Sequence, residues 1–139
     1  VLFFWVLGGT SHSVITPDLA NGFPNFIFFK YWIVHAGLIL FVFFSIQVYK
    51  IKLTIKSVFR AFCFLQIYIL LMFIINSLIG SNYFYTNRKP DGSSALDFFG
   101  DWPTYIYNVE LVMLPYFLLI FLIYKISTKK IRATYLANN

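Results

Sequence analysis

The sequence predicts an all-α fold, a polytopic transmembrane helix bundle with three full spans and a truncated N-terminal helix. Composition is the first observation behind this prediction. The 139-residue chain is 60% apolar and 12% charged, whereas soluble domains are about 45–50% apolar and about 25% charged. The second observation is that three segments approach the ~20 mainly apolar residues that a helix needs to cross a bilayer. Together they exclude an ordinary soluble domain and a disordered chain, and the single cysteine, Cys63, excludes a disulfide scaffold.

The first predicted element is a short apolar helix over about residues 1–9. Its apolar run, Val1 to Leu7, reaches only ~10 Å along a helix axis and is too short to span a membrane. It has no basic flank of the kind that precedes a signal peptide. We therefore expect residues 1–139 to form one transmembrane domain, the C-terminal part of a longer multispan protein.

Three full spans are predicted over about residues 24–49, 57–80 and 103–124. Pro24 and Pro103 suit the first turn of a helix, where a missing N–H costs nothing, and Gly80 suits a helix C-terminus. Pro115 lies inside the third span, where it should free the Leu111 carbonyl and bend the helix. The alternative of a membrane β-barrel is disfavoured because the runs lack alternation of apolar and polar residues.

The distribution of basic residues predicts the orientation in the membrane. Two segments carry basic residues without acidic ones, the connection after the first full span and the C-terminal tail. These residues are Lys50, Lys52, Lys56, Arg60, Lys125, Lys129, Lys130 and Arg132. Because basic loops stay on the cytoplasmic side, we expect a cytoplasmic C-terminus and two outer loops over about 9–23 and 81–102.

Three polar side chains are expected in the outer third of the bilayer, one on each span: His35, Asn76 and Glu110. Ionisable groups in lipid are costly and normally face the bundle interior. They could form one hydrogen-bonded cluster in which the carboxylate holds the histidine tautomer. The alternative is that each of them, like Gln66 in the middle of the second span, only joins neighbouring helices.

Several kinds of site have no support in the sequence. It lacks a glycine-rich phosphate loop, an HExxH motif and a CxxC motif. The two histidines, His12 and His35, are too few for a zinc site, so no metal or cofactor is expected. The net charge of +6 comes from short basic clusters between uncharged runs, which is not the pattern of a nucleic-acid binder. The expected partners are membrane lipids and the N-terminal helices of the full-length chain.

Two stretches of the chain carry a more specific signal. The first contains Thr16-Pro17-Asp18-Leu19, Phe28-Phe29 and His35, and the second contains Gly80 to Phe84, Asn87 to Pro90, Leu96 to Gly100, Trp102-Pro103 and Glu110-Leu111. In this order they resemble the YwaF family of bacterial integral membrane proteins over nearly the whole chain. The resemblance implies about seven spans in a longer chain in the bacterial cell membrane.

The YwaF family is in turn similar to a eukaryotic multispan protein, the transmembrane protein 164 acyltransferase, which is thought to move acyl chains between phospholipids. A Cys-Pro pair there takes the place of Thr16-Pro17 in this sequence. The similarity implies a lipid acyl transferase or lipid hydrolase. Thr16 would be the nucleophile, His35 the general base and Glu110 the group that orients the base.

The same hypothesis assigns binding roles to four further polar residues. Asn76 or Asn82 would stabilise the oxyanion of the tetrahedral intermediate. Arg88 and Lys89 would hold the phosphate of a lipid headgroup.

A second hypothesis needs no covalent chemistry. In a proton-coupled transporter of small solutes, Glu110 and His35 would relay protons, and Pro115 would supply the bend that transport folds often use. A non-catalytic membrane assembly factor belongs to the same class. The residues themselves do not disclose a reaction and leave both hypotheses open.

Overall fold

The computed structural model describes residues 1–17, 19 and 21–137, of which 130–137 are described by their backbone alone. Its elements are α1 (Leu2–Ile15), α2 (Phe26–Val48), α3 (Ile55–Ile79), two short 3₁₀ helices (Tyr83–Tyr85 and Ala95–Phe99) and α4 (Thr104–Ala137). No strand occurs in these described ranges. The predicted all-α class is confirmed.

Three of the helices are long and apolar enough to cross a membrane. They are Phe26–Val48, Ile55–Ile79 and Thr104–Lys129, with mean hydropathies of 2.0, 2.3 and 2.1. With the shorter apolar α1 in front of them, they confirm the predicted three spans and N-terminal helix.

The ends of the spans differ from prediction because capping side chains set them. The prediction that Pro24 opens α2 is wrong: Asn25 is the N-cap and its side chain accepts a hydrogen bond of 2.9 Å from the Ile27 amide. Thr54 caps α3 through reciprocal 3.3 Å hydrogen bonds with Ser57. Each cap satisfies amides that an apolar helix cannot leave unpaired in lipid.

At its other end, α3 stops where the sequence predicts. Gly80 adopts a left-handed conformation with φ of +66°, which residues with a side chain rarely adopt. The third span begins directly after Pro103, close to the predicted position, and continues through Pro115.

The prediction that the first helix ends near Gly9 is wrong, because α1 continues to Ile15. Residues Val6–Thr10 form a π-helical segment around Gly8 and Gly9. Beyond it, the Ser11 hydroxyl donates to the Leu7 carbonyl and the Ser13 hydroxyl donates to the Gly9 carbonyl at 3.4 Å. The polar residues that suggest a loop in the sequence thus bond back onto the helix.

The core lies where α1, α3 and α4 meet. It contains six buried apolar residues: Phe4, Val58, Ala61, Leu65, Phe117 and Ile120. The indole N–H of Trp5 donates to the Ala61 carbonyl at 3.0 Å and fixes α1 against α3. By contrast, α2 packs along α1, and the Tyr31 hydroxyl donates to the Ser13 carbonyl at 2.6 Å.

Candidate functional site

Thr16 lies directly after α1, at the position that the sequence predicts for a nucleophile. Its amide donates to the His12 carbonyl at 2.9 Å, which holds the residue at the helix end. Its hydroxyl oxygen lies 3.0 Å from Nδ1 of His12 and 3.2 Å from the His12 carbonyl oxygen. A hydroxyl within hydrogen-bond reach of an imidazole nitrogen is the arrangement in which a histidine can activate a nucleophile.

His12 is the functional candidate that the sequence prediction misses. Residues 12 and 16 have the i, i+4 spacing that brings side chains together on one helix face. The i, i+4 spacing places two side chains together only within a helix. Because the first helix is predicted to end near Gly9, residues 12 and 16 are assigned to a loop and the spacing is not recognised. The continuation of α1 to Ile15 is therefore what creates this pair.

His35, the predicted general base, lies on the neighbouring helix α2. Its Nδ1 is 2.7 Å from the Tyr31 carbonyl oxygen, and its ring stacks on the Tyr31 ring with a centroid distance of 4.0 Å. A carbonyl only accepts hydrogen bonds, so Nδ1 is the donor in this contact. The His35 ring is therefore held by the Tyr31 backbone carbonyl and not by Glu110, the residue predicted to orient it.

The helix contact between α1 and α2 brings the two histidine-bearing turns near each other. The Tyr31 hydroxyl bonds to the carbonyl of Ser13, one residue after His12. His35 follows Tyr31 by one helical turn. Within the described part of the chain, no hydrogen bond joins His35 to Thr16 directly.

Glu110 pairs with a different residue from the one predicted. The amide Nε2 of Gln66 donates to Glu110 Oε2, and this hydrogen bond joins α3 to α4. This is the interhelical role that the sequence suggests for Gln66. The predicted hydrogen-bonded cluster of His35, Asn76 and Glu110 is not formed among the described residues, because each has its own partner.

Asn76 is buried, with 1% of its surface exposed, and organises the outer loop. Its Nδ2 donates to the Tyr83 carbonyl at 2.8 Å and to the Thr86 hydroxyl at 2.7 Å. Its Oδ1 accepts from the Ser81 hydroxyl at 2.6 Å and the Tyr83 amide at 2.8 Å. Both amide hydrogens are used, so Asn76 has no donor left for an oxyanion.

The other predicted binding residues differ in how far their side chains are engaged. Asn82 holds the loop by accepting from the Arg88 amide at 3.1 Å and donating to the Arg88 carbonyl at 2.9 Å. Lys89 lies 3.4 Å from a carboxylate oxygen of both Asp97 and Asp101. The Arg88 side chain is exposed and makes no hydrogen bond or ion pair with the described residues.

A scan against known families matches the TMEM164 family model over residues 1–121. The chain belongs to the TMEM164 family. No curated protein and no solved structure matches it. The matched region of this TMEM164-family protein contains all the predicted site residues. Asp18 of the Thr16–Leu19 motif lies outside the described residues.

Asp97 lies in the loop between α3 and α4 of this TMEM164-family chain and bonds to two other parts of that loop, Ser94 and Lys89. Its Oδ2 accepts a hydrogen bond of 2.8 Å from the Ser94 amide, which stabilises the charged carboxylate and lowers the pKa of Asp97. The ammonium group of Lys89 lowers it further. Among the described residues, no group of three or more His, Cys, Asp or Glu is placed to hold a metal ion.

Proposed function

We propose that this TMEM164-family membrane protein transfers or hydrolyses the acyl chains of membrane lipids. The observation that carries the proposal is the 3.0 Å distance between the Thr16 hydroxyl oxygen and Nδ1 of His12, at the end of an apolar helix. Ester carbonyls of phospholipids lie just below the headgroups, and the polar end of α1 suits that level. Family membership agrees with an activity on lipids.

The chemistry follows from the pair. Thr16 Oγ1 attacks the ester carbonyl while a histidine nitrogen takes its proton, which gives a tetrahedral oxyanion. Collapse breaks the ester bond, and the histidine returns the proton to the departing lysolipid alkoxide. The acyl-Thr16 ester is then attacked by a lipid hydroxyl, which completes transfer, or by water, which completes hydrolysis.

Two histidines are candidates for the base. His12 is the nearer one, through Nδ1. His35, the residue that the sequence predicts, lies on the adjacent helix with Nδ1 bonded to the Tyr31 carbonyl, which leaves Nε2 for the second step, in which the acceptor hydroxyl loses its proton. Arg88 would hold the lipid phosphate, because its guanidinium is free of partners among the described residues.

The test is turnover of a radiolabelled phospholipid by the full-length protein in lipid nanodiscs. We expect Thr16→Val, which removes only the hydroxyl, to lower turnover by about 10²-fold or more, and His12→Ala to lower it by about 10²–10⁴-fold. Thr128→Val is the matched control, because the Thr128 hydroxyl only bonds to the Tyr124 and Lys125 carbonyls at 3.0 and 3.1 Å. Absent turnover, or turnover that Thr16→Val leaves unchanged, contradicts the proposal.

A proton-coupled transporter is the second candidate, and Glu110 is the observation that favours it. A carboxylate inside a span, paired with Gln66 and with neither histidine, suits a group that binds and releases protons. In that case Glu110→Gln abolishes proton-coupled solute uptake, while Thr16→Val has no effect on it.

A further inference from the structure

A partly open cleft lies beside the π-helical segment of α1. It has a volume of about 70 Å³, and its walls come from α1, α3 and α4. Leu65, Met113 and Phe117 line it on the side of α3 and α4. The space exceeds the ~10–15 Å³ that one water needs on the same kind of measure.

The lining offers nothing to a polar occupant. The one polar side-chain atom on its walls, the indole nitrogen of Trp5, already donates to the Ala61 carbonyl. A water needs two to four polar partners, so an apolar cavity of this kind stays dry or takes an apolar ligand. Inside a membrane protein the abundant apolar ligand is an acyl chain.

Two adjacent glycines, Gly8 and Gly9, line the cleft on the α1 side. A side chain added at one would meet a different environment from a side chain added at the other. A Cβ on Gly8 would lie 3.1 Å from the Phe117 ring and would crowd it, so the close packing of α1 against α4 favours glycine there. A Cβ on Gly9 would meet nothing within 4 Å. Glycine inside a helix costs about 1 kcal/mol relative to alanine, and packing within the described chain gives no reason for it at Gly9.

Phe84, from the loop after α3, also lines the cleft. Its backbone has a φ of +60°, and that of Tyr85 has a φ of +53°, two successive left-handed residues with large side chains. The Phe84 ring packs edge-on against Tyr68 with a centroid distance of 5.4 Å. Strained backbone of this kind persists at ligand-holding sites because the surrounding structure enforces it.

Thr16 directly follows the helix that contains Gly9. Seven residues separate them, so the cleft is about 10 Å below the Thr16 hydroxyl along the axis. A lipid with its ester carbonyl at Thr16 would therefore reach the cleft with its acyl chain.

We propose that the cleft between α1, α3 and α4 receives the acyl chain of a phospholipid and that Gly9 keeps it open. The assignment deepens the proposed function and rests on it for the identity of the lipid as substrate. It predicts that side chains added at Gly9 reduce acyl-chain binding and select for shorter chains.

The test is photolabelling of the full-length protein in nanodiscs that contain a phosphatidylcholine with a diazirine on its acyl chain. Adducts are located by peptide mass spectrometry, and Leu111, 76% exposed, reports ordinary contact with the surrounding lipid. We expect labelling at Met113 above that at Leu111. Gly9→Leu should lower it about tenfold, the loss expected when roughly two buried methylenes are displaced.

Gly37→Leu is the matched control, because Gly37 also has open space around its Cβ but lies on α2, away from the cleft. Met113→Phe narrows the cleft from the opposite wall and carries the test, read at Phe117, if Gly9→Leu does not fold. Labelling at Met113 no greater than at Leu111, or unchanged by Gly9→Leu, overturns the assignment. Photolabelling needs no turnover, so a failure of the Thr16 chemistry is seen separately, in the turnover assay.

Discussion

At the scale of single residues, Asn76 illustrates why depth alone does not identify a catalytic group. Its position near the outer end of a span is compatible with a polar cluster, with a hydrogen bond that joins neighbouring helices or with an oxyanion donor. In the structure all of its hydrogen-bonding groups face the loop after α3, and its side chain is buried. Because those loop partners have no periodic signal in the sequence, its structural role could not be predicted.

Replacing Asn76 by leucine should loosen the outer loop. The change removes four hydrogen bonds and takes from the buried Thr86 hydroxyl and from the Tyr83 backbone the partner that Asn76 provides, at about 1–3 kcal/mol for each buried group left unsatisfied. We expect a lower unfolding temperature in detergent. The control is Ser77→Ala, since the exposed Ser77 hydroxyl only bonds to the Phe73 carbonyl. Equal unfolding temperatures for the two variants would contradict the structural role.

The stability of the loop between α3 and α4 should depend on pH through the ionisation of Asp97. Its folded-state pKa lies below the ordinary value of 3.8, so the stabilisation that its carboxylate provides is present above pH 3.8 and is lost as the pH falls through the lower folded value. We expect hydrogen exchange of the Ser94 amide to accelerate in that acid range once corrected for the intrinsic rate. In Asp97→Asn the acid dependence should be absent, and an identical dependence in both proteins refutes this assignment.

At the scale of elements, α1 shows how the same residues can be interpreted in two ways. Two glycines followed by Thr10, Ser11 and Ser13 suggest a loop, and the predicted helix stops there. The hydroxyl groups instead bond to carbonyls one turn earlier, and the helix continues to Ile15. Side chains that can satisfy either backbone state leave the choice to tertiary packing, here against α2 and α4.

The helix end at Gly80 provides a test with a matched pair of glycines. Gly80 has a φ of +66°, so Gly80→Ala should cost about 1–2 kcal/mol from the left-handed backbone alone. Gly37 lies in the middle of α2 with no neighbour near its Cβ, so Gly37→Ala should be neutral or stabilising by up to about 1 kcal/mol. Thermal unfolding in detergent compares them, and a Gly80→Ala protein as stable as Gly37→Ala would contradict the capping role.

At the scale of the whole molecule, the spans were predictable and the site was only partly so. Only long helices with few charged residues are stable across the hydrocarbon core of a bilayer, so the lengths of the apolar runs in the sequence predict the spans. Counting residues also places His35 and Glu110 at similar depths, but it does not tell which way each side chain faces around its helix. The bundle places α2 against α1, while Glu110 bonds across the contact between α3 and α4. The two residues therefore have different partners.

The orientation of the bundle decides which side of the membrane the Thr16 site faces. The basic loop between α2 and α3 and the basic tail predict a cytoplasmic C-terminus, which places Thr16 and the loop after α3 outside. In a Cys63→Ser background, Asp91→Cys should react with a membrane-impermeant maleimide in intact cells. Lys52→Cys, on the opposite loop, should react only after permeabilisation. Both positions are exposed in the structure, so burial does not limit either reaction. The reverse pattern would place Thr16 and the proposed acyl chemistry at the cytoplasmic leaflet.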